Sequence, residues 1–443
     1  MRLASIVASA SFVVVALVLS SPAALAAADT VIYCPQLLDV EAGKVLGEHT
    51  ILVEGERIAS VKKGFVEAGD DVSEVVRLDG HTCLPGLIDS HTHLTSEFSA
   101  TGYGDRFRLN PADYAIRSTV YARRTLEAGF TTVRNLGDGG LLSIALRDAI
   151  DQGFVPGPRI FSAGQSIGTT GGHGDPTAGQ RLDLQGDPGM ESGIFNGPDE
   201  AWKVIRQHYK NNVDVIKIMP SGGVLDESRS GDNPQMTLEE IEALVAASRD
   251  YGFSVAAHAH GAEAIRRAVE GGVDSIEHGT HMDDEGMKLM KKHGTWFVPT
   301  IIAGEFVAQQ ASENPEVYPP QVARKALEIG PKILETAGRA YKAGVKIAFG
   351  TDAGVYPHGE NAHEFELMVE AGMPPMYAIQ AATTHAAELL GRDEDVGSLT
   401  AGKYADIIAV PGNPVDDISL MKQVNFVMKA GETYKRPDDD AQD

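Results

Sequence analysis

Cysteine is nearly absent: the 443-residue chain has two, Cys34 and Cys83. Neither has a spacing that suggests zinc or a neighbour that suggests a nucleophile, so thiol chemistry is not where the function lies. Basic charge is scarce as well. Lysine and arginine total 38 against 62 acidic residues, a formal net charge of −24. That argues against nucleic-acid binding, which needs basic patches to neutralise phosphates. Past the N-terminus no stretch is long and apolar enough to span a bilayer. What remains is ample core material, 43% hydrophobic and 23% charged residues. It suffices for one barrel of about 250 residues or more with an accessory domain.

The one long apolar run lies at the start. Met1-Arg2 is a short basic beginning, ASIVASASFVVVALVL an apolar stretch, and Ala24-Leu25-Ala26 a small-x-small ending. This predicts a secretory signal peptide over residues 1–26, with cleavage after Ala26 or, as a second choice, Ala28. An uncleaved anchor is the competing reading, and the flanking small residues count against it. The mature chain is expected outside the cytoplasm, with no membrane attachment after cleavage. Export places Cys34 and Cys83 in an oxidising compartment. A bridge between them and two buried, unpaired thiols are both open readings.

Residues 30–86 alternate short β runs with turns: TVIYCP, HTILVEGERIASVKK and SEVVRLDG, with GER as a hairpin turn. From Leu87 the rhythm changes. Eight strand-like runs follow: GLIDSHTH, FTTVRNL, RIFSAGQ, DVIKIM, FSVAAHAH, VDSIEH, TWFVPT and KIAFGTD. Helical stretches separate them, for example PADYAIRSTVYARRTLEAG, TLEEIEALVAASRDYG and GAEAIRRAVEGG. Alternation of this kind predicts an α/β fold with a parallel sheet, and eight repeats close naturally into a (β/α)8 TIM barrel. A late helix, MYAIQAATTHAAELLG, follows, and GSLTAGKYADIIAV returns to β character. The charged end, residues 436–443, is expected to be disordered.

Six metal-type side chains stand in or at the ends of these runs. They are His91 and His93 in GLIDSHTHL, Lys217 in DVIKIM, His258 in VAAHAHG, His278 in SIEHG and Asp352 in FGTDAG. His91 and His93 are two residues apart, so on a strand they share a face, which is half a metal site. All six fall at the C-terminal ends of strands, the face on which barrel enzymes carry their chemistry. Taken alone, Lys217 could be a snorkelling or ion-paired lysine, and Asp352 a helix N-cap. His49, His81, His208 and His293 read as ordinary surface or loop residues.

An HxH after PGLID, followed in order by Lys, His, His and Asp at strand ends, resembles the amidohydrolase superfamily. Within it, the chain is similar to the imidazolonepropionase-like, prolidase-like carboxypeptidase branch, which includes ochratoxin-type amidohydrolases. The likeness runs from the β-rich start through LPGLIDSHTH to LTAGKYADIIAV. It implies a barrel over residues 87–402 and a small β-sandwich assembled from both chain ends, residues 27–86 and 403–435. It also implies two divalent metal ions. His91 and His93 would bind the more buried one, His258 and His278 the second, and Lys217, carboxylated by CO2, would bridge them. Burial of a lysine in an apolar run disfavours its charged form, which suits that reaction. Zinc suits the ligands first; manganese, cobalt and iron also do. Asp352 would touch one metal and move protons while a metal-held hydroxide attacks an amide carbonyl.

The resemblance reaches the substrate loops too. His173 in GTTGGHGD would approach the substrate carbonyl; a solvent-exposed loop histidine is the alternative. In SGGVLDESRSGDNPQM, Met236 stands where prolidase-like relatives carry a tyrosine, which weakens the case for a proline preference. Arg229 in the same loop could pair with a substrate carboxylate or simply be solvated. His260 is assigned to the pocket lining and not to a metal. Glu263, which completes an HxxE motif with it, is expected to open the next helix. The implied activity is hydrolysis of an amide next to a free carboxylate, in dipeptides or N-acyl amino acids, by a periplasmic or secreted homo-oligomer. The alternatives are a cyclic-amide hydrolase of the imidazolonepropionase type, which lacks the bridging lysine, and a non-catalytic periplasmic binding protein.

Overall fold

The strand His81–Pro85 joins the two ends of the chain. On one side it pairs antiparallel with Ile407–Pro411, Ile407 opposite Pro85; on the other it runs parallel to Gln36–Asp39. The resulting six-stranded sheet runs in the order Glu432–Lys435, Phe426–Lys429, Ile407–Pro411, His81–Pro85, Gln36–Asp39, Lys44–Leu46. A four-stranded sheet has the order Arg57–Lys63, His49–Glu54, Thr30–Cys34, Glu74–Arg77. Ile32, Ile51 and Val76 from the second sheet pack with Ile407, Phe426 and Met428 from the first in one buried cluster. The cysteines lie there as well. Cys34 and Cys83 are fully buried, one on each sheet, and they form a disulfide with Cα atoms 5.8 Å apart. Of the two open readings the bridge is the one adopted. Closing a loop of 49 residues stabilises by roughly 4 kcal/mol in the chain-entropy account.

This computed structural model describes residues 28–69, 71–226 and 230–437. The expected leader, Arg229 and positions 438–443 of the expected tail lie outside the described residues.

From Leu87 the apolar runs become parallel strands with helices between them, as continuous apolar segments buried on both faces require. Arg159–Ser162, Phe130–Asn135 and Leu87–Thr92 form one parallel set. Ile216–Ile218, Val255–Ala259, Ser275–His278 and Trp296–Val298 form another. Parallel bridges Ile167↔Ile218, Phe297↔Ile347 and Thr92↔Ala353 link these sets through intervening segments. The run KIAFGTD, read as an eighth strand, forms no continuous strand: it is held by the bridge at Ile347, by the Ser90 N–H donating to the Phe349 carbonyl at 2.9 Å, and by the bridge at Ala353 just past its end. Two features interrupt it. The Phe349 N–H donates to the Ala381 carbonyl at 2.9 Å, and Asp352 sits at φ 61°.

The helices follow their sequence signals. Thr237 caps Leu238–Asp250, accepting from the Glu240 N–H at 3.2 Å while Glu240 Oε2 accepts from the Thr237 N–H at 2.8 Å. The late helix is split into Pro375–Gln380, a π turn Ala381–His385, and Ala386–Leu389. The π turn begins at Ala381, whose carbonyl is the one taken by Phe349. Glu263 opens Ala262–Glu270 and pairs with Arg266 and Arg267, as expected of a helix start. His208 corrects the reading of an ordinary surface residue. It lies on the inner face of the amphipathic helix Pro198–Lys210, 2% exposed, with Nε2 2.7 Å from the Gln165 carbonyl oxygen.

Candidate metal-binding active site

The parallel strands deliver their polar residues to one end. His91 lies near the end of Leu87–Thr92, and His93 follows it. Lys217 lies in Ile216–Ile218, His258 in Val255–Ala259, and His278 ends Ser275–His278. Asp352 follows the Ile347 bridge. His278 and Asp352 both adopt left-handed backbone, φ 68° and 61°. For residues with a Cβ this costs energy and persists only where the surroundings enforce it. In TDAG, Gly354 at φ 117° lets the segment pass close to His93, where an added Cβ would lie 2.8 Å from the His93 Cβ.

These residues meet in two clusters, His91–His93–Asp352 and His258–His260–His278, whose candidate donor atoms lie within 4.8 Å of one another. The rings of His91 and His278 connect them, with centroids 5.0 Å apart. Asp352 Oδ1 is 3.1 Å from His93 Nε2 and 3.4 Å from His91 Nε2, yet among the described residues it is buried without a hydrogen bond of proper geometry. Lys217 is 1% exposed, and among the described residues its Nζ has no hydrogen-bonding partner. An orphaned amine beside converging imidazole and carboxylate donors is a costly arrangement for a closed core. A divalent cation among the donors, with an acidic modification on the amine, would satisfy it.

Other partners fix the imidazoles from behind. His91 Nδ1 lies 2.9 Å from Glu277 Oε2, and His93 Nδ1 2.9 Å from the Gly137 carbonyl oxygen. His260 pairs through Nδ1 with Thr280 Oγ1 at 2.7 Å, and His278 through Nδ1 with Thr300 Oγ1 at 2.8 Å. Such contacts orient metal-ligating histidines and settle which nitrogen is free. Asp89 accepts from the Thr351 hydroxyl at 2.6 Å and from the Asn361 amide at 2.8 Å, tying LIDSH to the FGTD segment.

The electrostatics favour neutral imidazoles at His91, His258, His260 and His278; at His93 burial works the same way, but the hydrogen bond and charge of Asp352 outweigh it and raise the imidazole above its ordinary range. Burial pushes His91 down to about 4 and His260 to about 3, and it holds His258 and His278 well below their ordinary range. Lys217 is lowered to about 8 by burial, against the pull of Glu277 and Asp352. For Asp352 burial opposes ionisation, but His91 and His93 prevail and its carboxyl lies below the usual range. Neutral imidazoles and an ionised carboxylate are the protonation states that bind a metal.

A cavity of about 220 Å³ opens over these groups, walled by Met219, Leu225, Ala303, Val307, Ile329 and Ile333. It adjoins a second of about 260 Å³ across His93, Leu225 and Val355. A larger polar groove of about 870 Å³ lies elsewhere and contains none of these residues. Its Arg147 and Arg159 are paired with Asp214 and Asp406. His173 lines the first cavity, its ring 4.3 Å from that of His258 and its Nδ1 2.7 Å from Asp226 Oδ2. His260 lines it too, and belongs to the same donor cluster as His258 and His278. Met236 does not: it is 2% exposed within the hydrophobic core. Glu277, Arg134, Asp89, Asp226 and Lys325 were not singled out from the sequence. Glu277 in SIEH and Asp89 in LIDSH could have been, since a charge inside a buried strand needs a partner.

Fold and donor set together describe a hydrolytic centre of the metal-assisted kind, and comparison with known proteins agrees. The amidohydrolase family model matches residues 82–434. The ochratoxinase of Aspergillus niger is 30% identical over 413 residues, covering 89% of this chain and 83% of that protein. A crystal structure of a Xaa-Pro dipeptidase with methionine bound in its active site is 48% identical, with a TM-score of 0.89 over 92% of this chain and 99% of that one. A prolidase complexed with N-methylphosphonate-L-proline is 31% identical, with a TM-score of 0.82 and the same coverage. The chain belongs to the amidohydrolase family. It is an enzyme that hydrolyses amide or peptide bonds.

Proposed function

We propose that the chain is an exported hydrolase, dependent on two metal ions, that cleaves an amide next to a free carboxylate, as in dipeptides or N-acyl amino acids. The observation that carries the two-metal reading is Lys217, buried and, among the described residues, without a hydrogen-bonding partner at Nζ, while its charge acts on His91 and Asp352 of one donor cluster and on His258 and His278 of the other. His91 and His93 would hold one ion and His258 and His278 the other. Lys217, carboxylated by CO2, would bridge them, and Asp352 would complete the set. Zinc is the first candidate. Bound there, the ions would supply Lewis acidity to the amide carbonyl and to the attacking water.

The chain's own residues do the rest. Asp352 takes the water's proton on a carboxylate oxygen and returns it to the leaving nitrogen as the C–N bond breaks. His173, its Nδ1 engaged by Asp226, turns its other edge to the substrate carbonyl oxygen. The apolar walls exclude water from the reacting groups. Relatives named Xaa-Pro dipeptidase, prolidase and ochratoxinase support an amide flanked by a carboxylate. In this reading a (β/α)8 barrel over residues 87–402 carries the site, and residues 27–86 and 403–435 form a β-sandwich beside it. Residues 1–26 are removed on export to the periplasm or medium, and the enzyme acts as a homo-oligomer. Arg229 and His260 are assigned to substrate contacts.

Elemental analysis of protein purified without chelator, together with a dipeptide library varied at the C-terminal residue, tests the proposal. Two metals per chain and release of a C-terminal amino acid are expected. One metal per chain, unchanged by added zinc and bicarbonate, would overturn the two-metal model. Cleavage of cyclic amides alone, or of nothing, would overturn the substrate reading. Intact-mass measurement of protein from the native host should give a chain beginning at Ala27 or a residue or two later; an intact Met1 would refute cleavage.

A further inference from the structure

We propose that Lys325 is a positioning residue for His173, acting through Asp226 and Gly223. The inference rests on the reading of His173 as a substrate-facing group. Lys325 lies on the helix Pro320–Ala343, remote in sequence from every strand-end residue of the site, and is 5% exposed. Its Nζ donates to the Gly223 carbonyl at 2.7 Å, the Asp226 carbonyl at 2.8 Å and Asp226 Oδ1 at 2.8 Å. The other oxygen of that carboxylate, Oδ2, is 2.7 Å from His173 Nδ1 and accepts from the Gly223 N–H at 3.1 Å. One ammonium therefore fixes the carboxylate that orients the imidazole.

Gly223 supplies the second half of the clamp. Its Cα packs against the His173 ring so closely that an added Cβ would lie 2.1 Å from Cε1. The ring also contacts His258, at 4.3 Å between centroids, and the His173 backbone N–H donates to Gln235 Oε1 at 2.8 Å. The ring is thus held by its edge, by its face and by its backbone. A buried ammonium and a partly buried carboxylate cost free energy unless closely paired, so this cluster resists rearrangement once formed. The same helix reaches the substrate. Ile329 and Ile333, four and eight residues beyond Lys325 and so on one helical face, wall the cavity that His173 lines. One face of one helix shapes the cavity and sets the orientation of His173.

The test uses the full-length, metal-replete protein with Lys325→Met and Asp226→Asn, each alone and combined with His173→Ala. Each single variant should lower kcat on the order of 10²-fold, the scale for misplacing a reacting group by about an ångström, with KM changed less and metal content unchanged. In the His173→Ala background either change should cost less than about 3-fold more, because residues acting through one group are not additive. A second readout needs no substrate: the rate at which diethyl pyrocarbonate modifies His173, read by peptide mass spectrometry, should rise in Lys325→Met. Equal losses with and without His173, or unchanged labelling of His173, would overturn the proposal. If Lys325→Met does not fold, Gly223→Ala decides, since it displaces the ring without removing a charge and should give the same pattern. If the wild-type protein cleaves no amide, the functional reading fails while the labelling still tests the clamp.

Discussion

Glu277 and His91 share a hydrogen bond in the buried interior, with Oε2 of the one 2.9 Å from Nδ1 of the other. Arg134 holds the second carboxylate oxygen at 2.9 Å. Burial alone would keep Glu277 protonated, but Arg134 and His91 outweigh it and bring the carboxyl down to about 2. An ionised acceptor on Nδ1 leaves His91 Nε2 as the free nitrogen, and Nε2 is the atom that faces Asp352. The pair converts an acid from one strand into the orientation of an imidazole on another.

Glu277→Gln keeps the shape and weakens the acceptor. Metal affinity should fall by roughly 10- to 100-fold, the usual cost of losing such a partner. Competition against a chelator of known affinity measures it. Wild-type affinity in Glu277→Gln would show that His91 is oriented by something else.

Metal-free protein should lose stability on acidification. The folded His91 titrates near 4, below its ordinary value of 6.5. Between those values the unfolded chain binds more protons. The stability is therefore fully present above about pH 6.5 and lost as pH falls through about 4. His258, His260 and His278 carry the same sign. Asp89, raised by burial to about 6, and Glu364, raised well above its range by burial, act in the opposite sense. His93, raised by its hydrogen bond and charge contact with Asp352 against burial, and Asp138, raised by burial, join the opposing groups, while His358, lowered to about 4 by burial, joins the four cluster histidines. The buried, lowered histidines should prevail. Thermal unfolding of chelated protein from about pH 7.5 to about pH 4.5 checks the sign, and a flat or rising melting temperature on acidification would contradict it.

His91, His93 and Lys217 were legible because their signals are local: a period-two pair on an apolar strand, and a lysine inside VIKIM. Most strands and the helices bounded by caps or glycines were legible for the same reason. The partners were not. Glu277 meets His91 across 186 positions, and Lys325 meets Asp226 across 99. Nothing local encodes such pairings. The left-handed backbone of His278, Thr300 and Asp352 leaves no trace either, since none is glycine. Met236 shows the limit of arguing by analogy: a residue placed in a substrate loop packs into the core instead.

His260 separates two descriptions of the second cluster. Its ring stacks on His278 with centroids 4.9 Å apart, and it belongs to the same donor cluster as His258. The hydrogen bond with Thr280 occupies its Nδ1. If His260 is a pocket group, His260→Ala keeps the wild-type metal content while kcat/KM falls. Loss of one metal per chain on elemental analysis would make it a ligand in place of an assigned one.

Asp352 is the strictest test of the chemistry. It is the one carboxylate in the proposed ligand set, and its Oδ1 lies within 3.4 Å of two imidazole nitrogens. Its left-handed backbone holds it there at a conformational cost that a mere helix cap would not require. Asp352→Asn preserves the size and one oxygen but cannot carry the proton from water to leaving amine. Turnover should fall by roughly 10²-fold or more, the scale for losing a general base, with metal content little changed. Substrate affinity should change less, because recognition is assigned to the loops around His173. The decisive measurement is turnover and metal content on one preparation. Near-wild-type turnover with two metals bound would place the proton shuttle on another group. Glu263 is a poor candidate, since it is committed to Arg266 and Arg267. His260, buried in the cavity wall, would be the next residue to replace.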